Sequence, residues 1–243
     1  EAAGPPVTET PPLLASDATM LLRSIAALLL ATARPAAALF LSSAPAGAGV
    51  GDFWPEARGP PTSYGVSPYT APRRLTNRTL AWTWSNGGPV GKYSQAAHSG
   101  LLIDGERNIY LASWDGVRKL SSEGKLLWHV PMVTWRLPAM SNGRLYITDN
   151  GGIAYALNTQ TGAIVWAARF TKEIGTDISG VAVVDGVMVA EAGGKSGGGA
   201  SRVAGLDSSD GRLLWDFKVD SQVWNMMPMS AGNGTFIFQD SVG

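Results

Sequence analysis

The 243-residue chain predicts an all-β fold made of propeller blades, with about three and a half blades present. Three observations point there. A polar turn ending in Gly, followed four residues later by Trp, occurs three times: residues 119–128 (KLSSEGKLLW), 156–166 (ALNTQTGAIVW) and 205–215 (GLDSSDGRLLW). A hairpin dipeptide precedes each copy, namely Asp104-Gly105, Asn142-Gly143 and Asp185-Gly186. Each dipeptide leads into a strand-like run: NIYLAS, RLYITD and VMVAEA. Composition agrees, because 30 Gly and 15 Pro favour many turns over long helices.

Residues 1–19 are rich in Pro, Ala and Thr without periodicity, and read as a disordered extension. Residues 20–48 read as a signal peptide or membrane-targeting segment. Arg23 supplies the short positive region and residues 24–33 the apolar region. Residues 36–38 or 44–46 supply a small-residue cleavage zone. A membrane anchor over residues 20–41 is the rival reading. Spanning takes about 20 apolar residues, and Arg34-Pro35 interrupts the window. Both readings place the protein in an exported compartment, secreted or anchored. Residues 49–79 are Gly/Pro-rich and read as a linker or extended arm. They carry the sequon Asn77-Arg78-Thr79, which makes Asn77 a glycan acceptor in a eukaryotic export route. A second sequon at Asn233 falls in an expected hairpin turn. The chain starts at Glu1 and stops at Gly243 just after a strand-like run, and reads as a fragment of something longer.

Residues 80–243 then read as a partial β-propeller. The run 80–84 (LAWTW) looks like the last strand of a preceding unit, with Trp84 as its tryptophan. Counted from there, the Trp-to-Trp steps are 44, 38 and 49 residues (84, 128, 166, 215). A period near 40 built from strands indicates blades of four strands rather than a helical solenoid. In the second blade the strands fall at about 137–141, 144–148, 153–157 and 163–169. The third copy is longer because GGKSGGGASR (residues 193–202) is inserted. A fourth copy begins at Asn233-Gly234 with TFIF. A closed ring of seven or eight blades needs roughly 280–320 residues, more than this segment supplies.

The repeat has a physical logic. Gly124, Gly162 and Gly211 supply the conformation a tight turn demands. Trp128, Trp166 and Trp215 follow on the next strand, where a large ring can dock on the adjacent blade. Interblade packing is the first reading of these three tryptophans, and stacking on a ligand the second. The pattern resembles the tryptophan-docking repeat of quinoprotein-type (PQQ-like) β-propellers, over about two-thirds of the chain. That resemblance implies one of two activities. The family includes quinone-dependent alcohol and sugar dehydrogenases, which use PQQ and calcium. It also includes cofactor-free binding scaffolds such as the propeller lipoprotein of the bacterial barrel-assembly machine. The sequence is closer in character to the scaffolds. It has no Cys, whereas many of the dehydrogenases carry an adjacent Cys pair.

Other chemistry is thinly supported. A formal net charge of zero gives no case for nucleic acid or an anionic surface. Asp149, Asn150, Asp177 and Glu191 are the available groups for a catalytic base or calcium, yet no spacing gathers them. His98 and His129 stand 31 apart without a Cys partner, which argues against zinc. GGKSGGG lacks the spacing of a phosphate loop and reads as a flexible surface loop. Trp114, Trp135, Trp224, Met226, Met227 and Met229 form a group of large residues expected in the core, with an apolar binding surface on the funnel or a face as the alternative. The expectation is a non-catalytic scaffold with no cofactor, binding a protein or peptide. PQQ and calcium enter only if the chain is a dehydrogenase fragment.

Overall fold

The computed structural model describes residues 54–56, 59, 73–74, 76, 80–85, 100–172, 179–194, 198–225 and 228–242, all within the compact unit that spans residues 44–243. Among them the regular structure is all β, as expected. The first blade comprises β1 (Leu102–Ile103), β2 (Ile109–Ser113), β3 (Gly116–Leu120) and β4 (Leu126–Val130). The second comprises β5 (Ala139–Ser141), β6 (Arg144–Thr148), β7 (Ile153–Asn158) and β8 (Ile164–Arg169). The third comprises β9 (Ala182–Val184), β10 (Val187–Ala192), β11 (Ala200–Asp207) and β12 (Leu213–Val223). A hairpin of β13 (Met229–Gly232) and β14 (Thr235–Ile237) opens the fourth. Each four-stranded sheet is an antiparallel meander in chain order. The second-blade strands fall where the sequence places them.

The turns show why. Asn142 and Gly143 have φ of 51° and 71°, and Asp185 and Gly186 have 46° and 83°. Left-handed backbone at both central residues is the type I′ geometry whose twist matches the flanking strands. Asn233-Gly234 repeats it at 53° and 70° between β13 and β14. Asp104-Gly105, expected to form the same turn, does not. Its strand starts four residues later, and the left-handed residue is Arg107 (φ 65°). Asp104 closes this wider loop itself: its Oδ1 accepts the N–H groups of Glu106 and Asn108 at 3.0 and 2.8 Å. Of the GGKSGGGASR insertion, residues 193–199 follow β10 in the chain and residues 200–202 begin β11.

Packing lies between blades. Leu102, Tyr110 and Val117 of the first blade are buried against Leu145, Ile147 and Leu157 of the second. Between the second and third the core is rich in alanine: Ala139, Ala154 and Ala156 face Ala190, Ala192 and Ala204, joined by Tyr146, Trp166 and Leu206. Small side chains on both faces let two pleated sheets approach closely. Val189, Val203 and Val223 begin a third layer with Trp215, Phe236 and Phe238. The first strands converge. Leu137 N–H donates to Ser179 O at 2.9 Å and Val181 N–H to Leu137 O at 3.1 Å, a parallel bridge between the second and third blades. The fourth strands β4, β8 and β12 are the exposed edges.

Candidate functional site

Each docking turn offers a main-chain carbonyl to a tryptophan of the preceding unit. Trp82 Nε1–H donates to Ser122 O at 2.8 Å, Trp128 Nε1–H to Thr159 O at 3.1 Å, and Trp166 Nε1–H to Ser208 O at 3.0 Å. The rings then lie over the turn glycines. A Cβ at Gly124, Gly162 or Gly211 would stand 2.8, 3.0 or 2.6 Å from the ring of Trp82, Trp128 or Trp166. Gly162 has φ 74° as well, so a side chain there meets both the indole and a disfavoured backbone. Further donors share these carbonyls. Lys119 Nζ and Tyr110 Oη donate to Thr159 O, at 3.2 and 3.3 Å, and Arg144 Nη1 and Tyr146 Oη to Ser208 O, at 3.1 and 3.3 Å.

The two recurring sequence signals touch each other. Thr159 N–H donates to Gly143 O at 3.0 Å, and Ser208 N–H to Gly186 O at 2.8 Å. In the second and third blades the hairpin turn and the docking turn therefore brace one another. Polar residues shape the turn itself: Asn158 Oδ1 accepts the N–H groups of Gln160 and Thr161 at 2.9 and 3.0 Å.

Two tryptophans depart from expectation. Trp82, rather than Trp84, occupies the docking place ahead of Gly124. Trp84 sits with the Arg118 guanidinium 5.6 Å from its ring, and residues 80–85 join no sheet among the described residues. Residues two apart share one face of an extended segment, so the sequence could not separate them. Trp215 lies against Gly205 on the neighbouring strand and stacks on Phe236 at 5.3 Å. Among the described residues its Nε1 has no acceptor. A pocket of about 160 Å³ opens beside it, lined by Asp185, Val187, Val189, Gly234 and Phe236 among others.

The opposite end of the blades holds the polar groups. Asp149 is a turn former: its Oδ1 accepts Gly151 N–H and Ile153 N–H, both at 2.9 Å, and its Oδ2 accepts the Tyr155 hydroxyl at 3.0 Å. Burial, and then that carboxylate, push the Tyr155 phenol up to about 12. Asn150 N–H donates to Val133 O. Glu191 forms a fully buried ion pair with Arg136, which also donates to Ser179 Oγ at 2.5 Å. This pair joins the segment before β5 to β10 of the next blade, a link that 55 residues of separation hide from the sequence. Asp115 accepts from Arg118 at 2.5 Å, which holds its carboxyl at about 2. His129 Nε2 lies 3.0 Å from Asp115 O. Among the described residues no three His, Cys, Asp or Glu side chains gather as a metal site.

Of the large residues expected in the core, Trp114 and Trp135 stack on each other with centroids 4.1 Å apart and are half-buried. Trp224 and Met229 are exposed instead, at 45% and 49%. Asn77, His98, Asp177, Met226 and Met227 lie outside the described residues, as does the targeting segment. Among the described residues no helix is long and apolar enough to cross a membrane.

Comparison with known proteins agrees with this repeat. A family model described as outer membrane protein assembly factor BamB matches residues 114–241. The BamB of Escherichia coli is 27% identical over 122 residues, covering 44% of this chain and 30% of that protein. The tetrathionate hydrolase of Acidithiobacillus ferrooxidans is 42% identical over 57 residues, 22% of this chain and 11% of that protein. The chain thus spans less than a third of either relative. The crystal structure of BamB from Moraxella catarrhalis superposes with a TM-score of 0.41 at 17% identity, covering 57% of this chain and 48% of that one. With the family model matched over more than half of its residues, the chain belongs to the PQQ-like β-propeller repeat family of the BamB type.

Proposed function

We propose that the chain is a non-catalytic propeller scaffold that binds protein or peptide partners in an exported compartment. The observation that carries this is a repeated apolar edge. Between the docking Gly and Trp each blade places two aliphatic residues on its outermost strand: Leu126 and Leu127, Ile164 and Val165, Leu213 and Leu214. All six are 40% to 53% exposed. An outer strand also presents unpaired main-chain groups, and an apolar exposed edge is a template for a partner strand. Relatives named for outer-membrane protein assembly support the reading, as does the use of the carboxylates. Asp104, Asp115 and Asp207 are held below the usual carboxylate range by hydrogen bonds within their own turns, which makes them poor bases.

Photo-crosslinking residues placed at Leu127, Val165 and Leu214 in the exported full chain test it. Discrete protein adducts at these positions, absent from matched inward positions, are the expected result. Dye reduction by the chain loaded with PQQ and calcium would overturn it in favour of a quinoprotein dehydrogenase.

A further inference from the structure

A short acidic segment crosses the inner edges of all three blades. Residues 54–56, Trp-Pro-Glu, belong to the stretch that composition reads as a linker or extended arm. Trp54 pairs antiparallel with β1: its N–H donates to Ile103 O at 2.8 Å, and Ile103 N–H donates to Trp54 O at 3.0 Å. Met140 N–H of β5 donates to Pro55 O at 2.7 Å. The Glu56 carboxyl stands near enough to β9 for the Val183 main chain to pull its pKa down. Three consecutive residues thus meet three successive blades in turn, through main-chain bonds at Ile103 and Met140 and the Glu56 side chain beside Val183.

The three residues are at equivalent positions. Ile103 pairs with Ile109, Met140 with Leu145 and Val183 with Met188, each being the second strand of its own blade. In the fourth blade the same register falls on Ser230, opposite Phe236. The repeat therefore generates a row of like amides, one per blade, on strands that are the free edges of their sheets. Such edges accept an added strand through main-chain bonds, with pockets for side chains giving selectivity.

The segment suits this row in its chemistry. A residue before proline is held extended, as edge pairing by Trp54 requires. Pro55 has no N–H to leave unpaired when it is buried, and it supplies only the acceptor that Met140 needs. Glu56 extends the reach to the third blade with its side chain. The chain then turns back: Gly59 N–H donates to Glu56 O at 3.0 Å. Gly59 has φ 91°, and its absent Cβ would lie 3.1 Å from the Trp54 ring.

We infer that the inner-edge amides of Ile103, Met140 and Val183 form a binding site for an extended peptide of aromatic–proline–acidic sequence, and that residues 54–56 occupy it as an intramolecular ligand. The site deepens the scaffold reading and rests on it, since it names the partner's chemistry. A partner segment of this kind enters by displacing the arm. The arm thereby sets a threshold that weak competitors do not pass.

The full chain tests this with two variants that loosen the arm. Trp54→Ala removes the seated ring. Gly59→Val touches no inner strand and drives a branched side chain into that ring. A labelled peptide of residues 51–60 should bind both variants at least tenfold more tightly than the unaltered chain, where the arm competes. A control peptide with Ala for Trp54 and Lys for Glu56 should not bind. Amide hydrogen exchange at Ile103, Met140 and Val183 should quicken together in the variants and slow again on adding the peptide. Equal peptide binding by all three proteins would overturn the inference. So would absence of binding to variants whose β6 and β10 amides stay protected. In the unaltered chain the three amides should exchange through one common opening, and three unrelated rates would also overturn it, even if both variants fail to fold. Crosslinks at the outer strands without peptide entry would remove this site alone. Peptide entry without outer crosslinks would remove only the outer-edge docking.

Discussion

Trp166 and Trp215 hold the same place in successive blades, yet their surroundings differ. Trp166 is 9% exposed, its ring lies on Gly211 and its Nε1–H reaches Ser208 O. Trp215 is half-buried, stacks on Phe236 and borders a pocket, with no acceptor among the described residues. One motif therefore meets two surroundings: the Ser208–Gly211 turn seats Trp166, and the β13–β14 hairpin lies against Trp215. The tie is a property of a pair of blades, and the tryptophan alone does not make it.

That contrast orders the expected effects. Trp166→Ala should cost about 3–5 kcal/mol, the range for emptying a buried aromatic site, read from the urea midpoint with unchanged slope. Glu191→Ala acts at the same blade boundary by stranding Arg136 in the interior. Loss of one member of a buried ion pair costs about 3–5 kcal/mol, and Glu191→Gln should recover part of it. The hub side of the third blade responds to pH. Burial pushes the Glu56 carboxyl from 4.5 up to about 7, against a smaller downward pull from the Val183 main chain. The folded protein holds this proton more tightly than the unfolded chain. Its stabilising contribution is therefore full below about pH 4.5 and is lost as pH rises through about 7. The loss is ~3 kcal/mol by linkage. Unfolding series at acid and mildly alkaline pH should show it, and Glu56→Gln should flatten the profile.

Smaller effects follow. Gly162→Ala places a Cβ against Trp128 at φ 74°, and should cost about 1–2 kcal/mol, measured by the shift in thermal midpoint. Trp215→Ala should cost only about 1–2 kcal/mol, because less apolar area leaves water when that ring packs. If Trp215→Ala proves as costly as Trp166→Ala, the distinction between the two junctions fails.

Much of the fold was legible because its signals are local. The I′ turns at Asn142-Gly143 and Asp185-Gly186, the strands of the second blade and the insertion before Ala200 all follow from neighbouring residues. What stayed hidden is either main-chain or distant. Ser122 O, Thr159 O and Ser208 O carry no side-chain signature as acceptors. Arg136 and Glu191 meet only because two blades pack. The Trp54-Pro55-Glu56 segment has no periodicity, and its pairing is set by three strands far along the chain. At Asp104-Gly105 a genuine turn signal misled, because the Asp104 side chain makes a wider loop than the dipeptide suggests.

The carbonyl at Thr159 has one more consequence. Three side chains, from Tyr110, Lys119 and Trp128, read a group that every amino acid possesses. Away from its Gly the turn thus varies in sequence, as SSEG, NTQTG and DSSDG show, while the join it makes persists. Such a join depends on main chain: each of the three described turns is gripped by the tryptophan before it through the same atom.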